Sequence, residues 1–153
     1  SAAIKILRHL GCKVKREGNT VIVDASCAGR FDIPEKLMRE MRSSIVFLGA
    51  LLARFGAACV SSPGGCEIGL RPIDLHLSAL RKMNPYINDT GGFLECATDN
   101  LCGADINLAF PSVGATENIM LASMGANGET VITNAAREPE IIDLADYLKS
   151  CGA

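Results

Sequence analysis

The stretch Pro63-Gly64-Gly65-Cys66-Glu67-Ile68-Gly69-Leu70-Arg71-Pro72-Ile73-Asp74-Leu75-His76 concentrates the chemistry of this chain. One thiol, Cys66, sits among Gly64, Gly65 and Gly69, which take backbone angles closed to other residues and leave room for a ligand to approach. Arg71 follows, and the order Arg71-Pro72-Ile73-Asp74 reads as a helix start, because proline is tolerated in the first turn and acids are favoured there. A thiol, a guanidinium and helix-terminal amides are thereby expected in one small volume. That set suits an anionic substrate together with a proton donor or nucleophile. A glycine-rich surface turn that happens to hold a cysteine fits the same spacing.

The elements around this loop repeat. Leu7-Arg8-His9-Leu10-Gly11 is echoed by Leu80-Arg81-Lys82-Met83-Asn84 and again by Leu148-Lys149-Ser150-Cys151-Gly152. Each copy closes an amphipathic helix, with Ala3, Leu7 and Leu10, or Ile141, Leu144 and Leu148, at helical spacing. A hairpin follows the first copy: Cys12 and Val14 alternate with lysines, Gly18-Asn19 turns, and Val21 and Val23 return. Tyr86-Ile87, the turn Thr90-Gly91-Gly92 and Phe93 to Ala97 form its counterpart. Each unit then predicts a helix and a strand: Ser43 to Gly56 with Cys59 to Ser61, and Ala115 to Met124 with Thr130 to Thr133. The helix start at Arg71-Pro72 recurs at Arg137-Glu138-Pro139. A period of roughly 70 residues exceeds the solenoid range. It predicts an α/β fold, a pseudo-symmetric domain of βαβαβ-like repeats spanning 1–153 and expected to be truncated at both ends, the first copy at its start and the third after its helix.

Composition narrows the function classes. The 153 residues carry 48% hydrophobic and 21% charged residues, enough for one domain with a core. A formal net charge of −2 gives no reason to expect nucleic acid or a membrane surface as partner. The apolar run from Ile45 to Phe55 is broken by Gly49 and Arg54 and reads as a buried helix, short of a membrane span. Seven cysteines form no CxxC pair, and His9 and His76 are too far apart to complete a metal site with them. Scattered single thiols fit a reducing cytosol. Cys59, between Ala58 and Val60, is expected in the core, whereas Cys66 is expected to be exposed and the thiol most readily modified.

The loop PGGCEIGLRPIDLH resembles the active-site loop of the UDP-N-acetylglucosamine enolpyruvyl transferases, the 1-carboxyvinyltransferases that open bacterial peptidoglycan synthesis. Met41-Arg42-Ser43-Ser44 with Leu48-Gly49-Ala50-Leu51-Leu52-Ala53-Arg54-Phe55-Gly56, then Pro111-Ser112-Val113-Gly114-Ala115-Thr116-Glu117-Asn118-Ile119, then Asn134-Ala135-Ala136-Arg137-Glu138-Pro139-Glu140-Ile141, resemble three further family motifs in the same order. The four motifs stand in register, and the likeness extends over essentially the whole chain. Ser43, Ala50 and Ser62 depart from the family pattern, as does Met83-Asn84-Pro85.

The resemblance implies half of an inside-out α/β barrel, helices inside and sheets outside, belonging to a two-domain transferase whose second domain is absent here. It implies transfer of enolpyruvyl from phosphoenolpyruvate to the 3-hydroxyl of UDP-N-acetylglucosamine with release of phosphate, in the bacterial cytoplasm, with no cofactor and no metal. Cys66 matches the family's mobile-loop thiol, which serves as acid, nucleophile or product-release gate and is alkylated by fosfomycin. Arg71 matches a residue gripping the phosphate or carboxylate of phosphoenolpyruvate. Arg42 matches an arginine near the nucleotide-sugar site. Pro72, Asp74, Leu75 and His76 match the segment cradling uracil; Ser112, Val113 and Gly114 match a loop contacting diphosphate or uridine; Glu138 matches a glutamate near the cleft. A family lysine–asparagine pair and the second domain's Asp and Arg residues lie outside this chain, so the chain alone is expected to be inactive. The related transferase acting on shikimate 3-phosphate, which lacks the PGGC loop, and a module with the fold but no catalysis are the alternatives.

Overall fold

The structure is a computed structural model that describes residues 1–41, 43–61 and 73–153. The chain runs through α1 (Ala2–His9), the hairpin β1 (Lys13–Glu17) and β2 (Thr20–Asp24), β3 (Asp32–Ile33), α2 (Glu35–Arg39), a 3-10 turn at Ser44–Val46, α3 (Phe47–Phe55) and β4 (Ala57–Ser61). It then repeats the order with α4 (Asp74–Arg81), the hairpin β5 (Tyr86–Thr90) and β6 (Phe93–Ala97), β7 (Asp105–Asn107), α5 (Val113–Ser123), β8 (Val131–Thr133) and α6 (Pro139–Ser150).

The repeat seen in sequence is a repeat in space. β3 runs parallel to β4 with Ile33 opposite Val60, and β7 runs parallel to β8 with Ile106 opposite Ile132. Parallel pairing requires a crossover, supplied by α2 and α3 in the first unit and by α5 in the second. The β5–β6 hairpin adds antiparallel to β4, giving a mixed sheet of order β3-β4-β6-β5. Its inner face is apolar: Leu94 opposes Val60, and both are fully buried. The β1–β2 hairpin pairs only with itself among the described residues, so Val21, Ile22 and Val23 stay exposed although Val21 and Val23 stand where β6 has buried Leu94 and Cys96.

Both hairpins turn as their sequences require. Glu17 pairs with Thr20 and Thr90 with Phe93, leaving two-residue loops. Gly91 and Gly92 both have positive φ, the type I′ requirement.

The centre of the molecule is α5. It packs against α3, α4 and α6, and Ala115, Thr116, Asn118, Ile119 and Ala122 are all buried. The α3–α5 contact is backbone-close at Gly49, where an added Cβ would stand 2.2 Å from the Asn118 carbonyl oxygen. Leu48, Leu51 and Leu52 of α3 and Leu77, Ala79 and Leu80 of α4 complete the helical core, with Ile6 and Leu10 closing it from α1.

Three local expectations are corrected. The helix expected from Ser43 opens as a 3-10 turn, with Ser44 buried and its hydroxyl donating to the Met38 carbonyl at 2.9 Å. On α1 the fully buried residue is Ile6, while Leu7 is half-buried. Cys59 is half-buried on the opposite face of β4 from Ala58 and Val60, so strand alternation overrides its apolar neighbours. Among the described residues the buried thiols are Cys12 and Cys96.

Candidate functional site

Cys66, Arg71, Pro72 and Arg42 lie outside the described residues. The remaining expected site residues stand at the starts of three helices, and the fold brings two of the groups together.

Asp74 opens α4 and is exposed, Leu75 is half-buried, and His76 is turned into the protein. Ser112 caps α5, its Oγ accepting the Ala115 N–H at 3.3 Å, so Val113 and Gly114 form the first turn. His76 reaches this turn: a Cβ added to Gly114 would lie 3.2 Å from His76 Cε1 and 3.5 Å from Nε2. The imidazole therefore lies against the start of α5, where the helix exposes free amides. Burial pushes the His76 pKa below its ordinary value, favouring the neutral ring.

Glu138 stands at the N-cap position of α6, where its side chain makes no bond to the first turn; its carboxylate instead accepts the preceding Arg137 N–H at 2.9 Å. The segment before it is held to α5 by Thr116, whose hydroxyl donates to the Ser112 carbonyl at 2.8 Å and accepts the Ala136 N–H at 3.1 Å. Asn134, with φ of 56°, donates to the Leu108 carbonyl at 2.7 Å and sets the bend. Pro111, Asn134, Ala135, Arg137 and Glu138 line a shallow cavity of about 470 Å³. Arg137 supplies a cation there, and Glu138 an exposed carboxylate.

Two buried polar residues escaped the sequence reading. Thr116 and Asn118 lie on the buried side of α5, and Asn118 falls in the stripe of Ala115, Ile119 and Ala122. A polar residue at an apolar position was the available signal. Glu117, half-buried on α5, has its carboxyl pushed above the usual range by burial and then by the charge of Glu140.

The family model for EPSP synthase (3-phosphoshikimate 1-carboxyvinyltransferase) matches residues 1–153. The chain belongs to this family. It is 53% identical over 150 residues to UDP-N-acetylglucosamine 1-carboxyvinyltransferase 2 of Caldanaerobacter subterraneus subsp. tengcongensis, a match covering 98% of this chain and 36% of the relative. It is 49% identical over 153 residues to UDP-N-acetylglucosamine 1-carboxyvinyltransferase of Geotalea uraniireducens, covering 100% of this chain and 37% of that one. The chain thus spans little more than a third of the length of these curated relatives.

Solved structures agree on the fold of this family member. The enolpyruvyl transferase NikO from Streptomyces tendae superposes with a TM-score of 0.83 at 23% identity, over 99% of this chain and 37% of that one. EPSP synthase from Acinetobacter baumannii superposes with a TM-score of 0.67 at 19% identity, over 93% of this chain and 34% of that one.

Proposed function

We propose that this chain forms the cysteine-loop domain of an enolpyruvyl transferase that moves the enolpyruvyl group of phosphoenolpyruvate to the 3-hydroxyl of UDP-N-acetylglucosamine, releasing phosphate. The observation that carries the reading is identity near one half, along essentially the whole chain, to relatives named UDP-N-acetylglucosamine 1-carboxyvinyltransferase. The match of His76 to Gly114, joining two expected nucleotide-sugar segments, accords with it.

The chemistry needs an acid over the methylene carbon of phosphoenolpyruvate while the sugar hydroxyl gives up its proton to a base and its oxygen attacks the adjacent carbon; removal of a proton from the resulting methyl group as phosphate leaves then regenerates the double bond. Cys66, on its glycine-rich loop, fills the acid or nucleophile role. Arg71 grips the phosphate or carboxylate of phosphoenolpyruvate through charge-assisted bonds, with Arg42 nearby. Pro72, Asp74, Leu75 and His76 hold the uracil. The free amides behind Ser112, Val113 and Gly114 receive diphosphate oxygens. Glu138 faces the cleft. The second cleft wall comes from another domain, so the 153 residues alone bind weakly and do not turn over. A cytoplasmic place in peptidoglycan synthesis, and sensitivity to fosfomycin through Cys66, follow from this reading. Among the described residues no helix is long and apolar enough to cross a membrane.

Titration of the labelled chain with UDP-N-acetylglucosamine, and separately with shikimate 3-phosphate, tests the substrate. Backbone resonances of residues 74–76 and 112–114 should move with the nucleotide sugar and stay in place with shikimate 3-phosphate. The opposite pattern would transfer the proposal to the aromatic-pathway reaction.

A further inference from the structure

Asn118 is fully buried at the junction of α3, α4 and α5, and its surroundings orient its carboxamide. The Gly49 N–H is only a donor, so it faces Oδ1, at 2.6 Å. The Ile45 carbonyl is only an acceptor, so it faces Nδ2, at 3.0 Å. These are the donor and acceptor that an α-helical i to i−4 bond would join, so the amide is gripped by backbone. Nδ2 has one proton left, and 2.9 Å away stands Nδ1 of His76. That nitrogen must accept. An imidazolium, or the tautomer protonated at Nδ1, would set two donors against each other in a buried site.

We propose that Asn118 is a positioning residue: it fixes His76 as a neutral ring with its proton on Nε2, along the edge that faces Gly114 at the start of α5. His76 is then a hydrogen-bond donor for an acceptor oxygen of a ligand held by Ser112–Gly114. This donor role rests on the transferase reading, whereas the place of the proton does not. Gly49 keeps the arrangement rigid, since any side chain there would collide with Asn118.

The test is nitrogen-15 spectroscopy of the imidazole rings. The chain has only two histidines, so a His76→Gln sample identifies the signals of His76. In the ligand-free chain at neutral pH, Nδ1 should resonate as an unprotonated acceptor and Nε2 as a protonated nitrogen. A proton on Nδ1, or equal populations of the two tautomers, overturns the proposal without any variant. Asn118→Asp offers Nδ1 a carboxylate in place of a donor and should move the proton to Nδ1 or protonate both nitrogens. A folded Asn118→Asp chain with an unchanged His76 spectrum also overturns it. UDP-N-acetylglucosamine should shift the Nε2–H signal of the wild type and move that of Asn118→Asp less; no shift in the wild type, or equal shifts, removes the donor role. Because the tautomer is read without substrate, its failure is separable from failure of the transferase reading.

Discussion

The hydroxyl of Thr116 accepts the backbone N–H of Ala136 across 3.1 Å, binding the segment before α6 to the first turn of α5. The same hydroxyl donates to the Ser112 carbonyl, so one buried side chain holds the Ser112 cap and the approach to Glu138 in a single arrangement. Thr116→Val keeps the shape and removes both bonds. It should cost about 1–3 kcal/mol, because the buried N–H of Ala136 loses its partner, whereas the Ser112 carbonyl keeps the Thr116 backbone N–H at 3.0 Å. Thr116→Ser keeps the hydroxyl and should cost about 1 kcal/mol or less. Urea denaturation of both variants measures the difference, and equal losses would show that the methyl group matters more than the bonds.

Gly49→Ala should be among the most damaging single-methyl additions in the chain. The new Cβ would meet the Asn118 backbone oxygen at 2.2 Å and the Asn118 Oδ1 at 2.7 Å, and neither is the free end of a flexible side chain. Overpacking of this kind costs about 1–3 kcal/mol. Gly18→Ala is the contrasting case for space, since nothing lies within 4 Å, although its φ of 60° still strains any side chain. Melting temperatures should fall further for Gly49→Ala than for Gly18→Ala.

Acid should weaken the fold partly through Asp32. Arg30 donates to its carboxylate from Nε at 3.1 Å and Nη2 at 3.0 Å, and His9 adds a contact at 3.1 Å. These bonds, led by Arg30, lower its pKa from 3.8 to about 2. A carboxyl depressed in the fold contributes stability that is whole above 3.8 and is lost as the pH falls toward about 2. The pair is largely exposed, so Asp32→Asn should cost under about 1 kcal/mol at neutral pH. The gap between wild type and Asp32→Asn should close across that acid window; a gap that is constant with pH would contradict the assignment.

The thiols should separate into reactive and inert sets. Burial pushes Cys96 up to about 11 and raises Cys12 as well, so both should be the slowest to alkylate. Cys27 and Cys151 are exposed. The expectation that Cys66 is singled out mainly by exposure, with partial help from Arg71 and the following helix start, therefore meets two competitors. If Cys66 has the nucleophile role, with Arg71 and the helix start beyond it favouring the thiolate, it must run ahead of both. Mapping after substoichiometric iodoacetamide reads the order directly, and labelling of Cys27 or Cys151 well before Cys66 would count against that role.

Much of this architecture was legible because local chemistry and global fold agree. Gly18-Asn19 and Gly91-Gly92 announced their hairpins, and Arg137-Glu138-Pro139 announced the start of α6, since backbone preference alone decides such positions. The failures are of another kind. Whether Cys59 or Val60 faces the core depends on which side of β4 the helices cover, which no local pattern states. The roles of Thr116 and Asn118 depend on partners, Ala136, Gly49 and His76, that lie far along the chain. The segments expected to hold uracil and diphosphate were legible as separate motifs, but their meeting at His76 and Gly114 is a product of α4 packing on α5.

The central claim is that these residues supply the thiol-bearing wall of a UDP-N-acetylglucosamine enolpyruvyl transferase. The most direct measurement replaces the matching third of the Caldanaerobacter relative with residues 1–153 and follows phosphate release from phosphoenolpyruvate. The account predicts turnover with UDP-N-acetylglucosamine, none with shikimate 3-phosphate, and loss of at least about 100-fold on Cys66→Ala, the scale of a missing general acid. A folded chimera that ignores UDP-N-acetylglucosamine, or that works equally well without the Cys66 thiol, would contradict it.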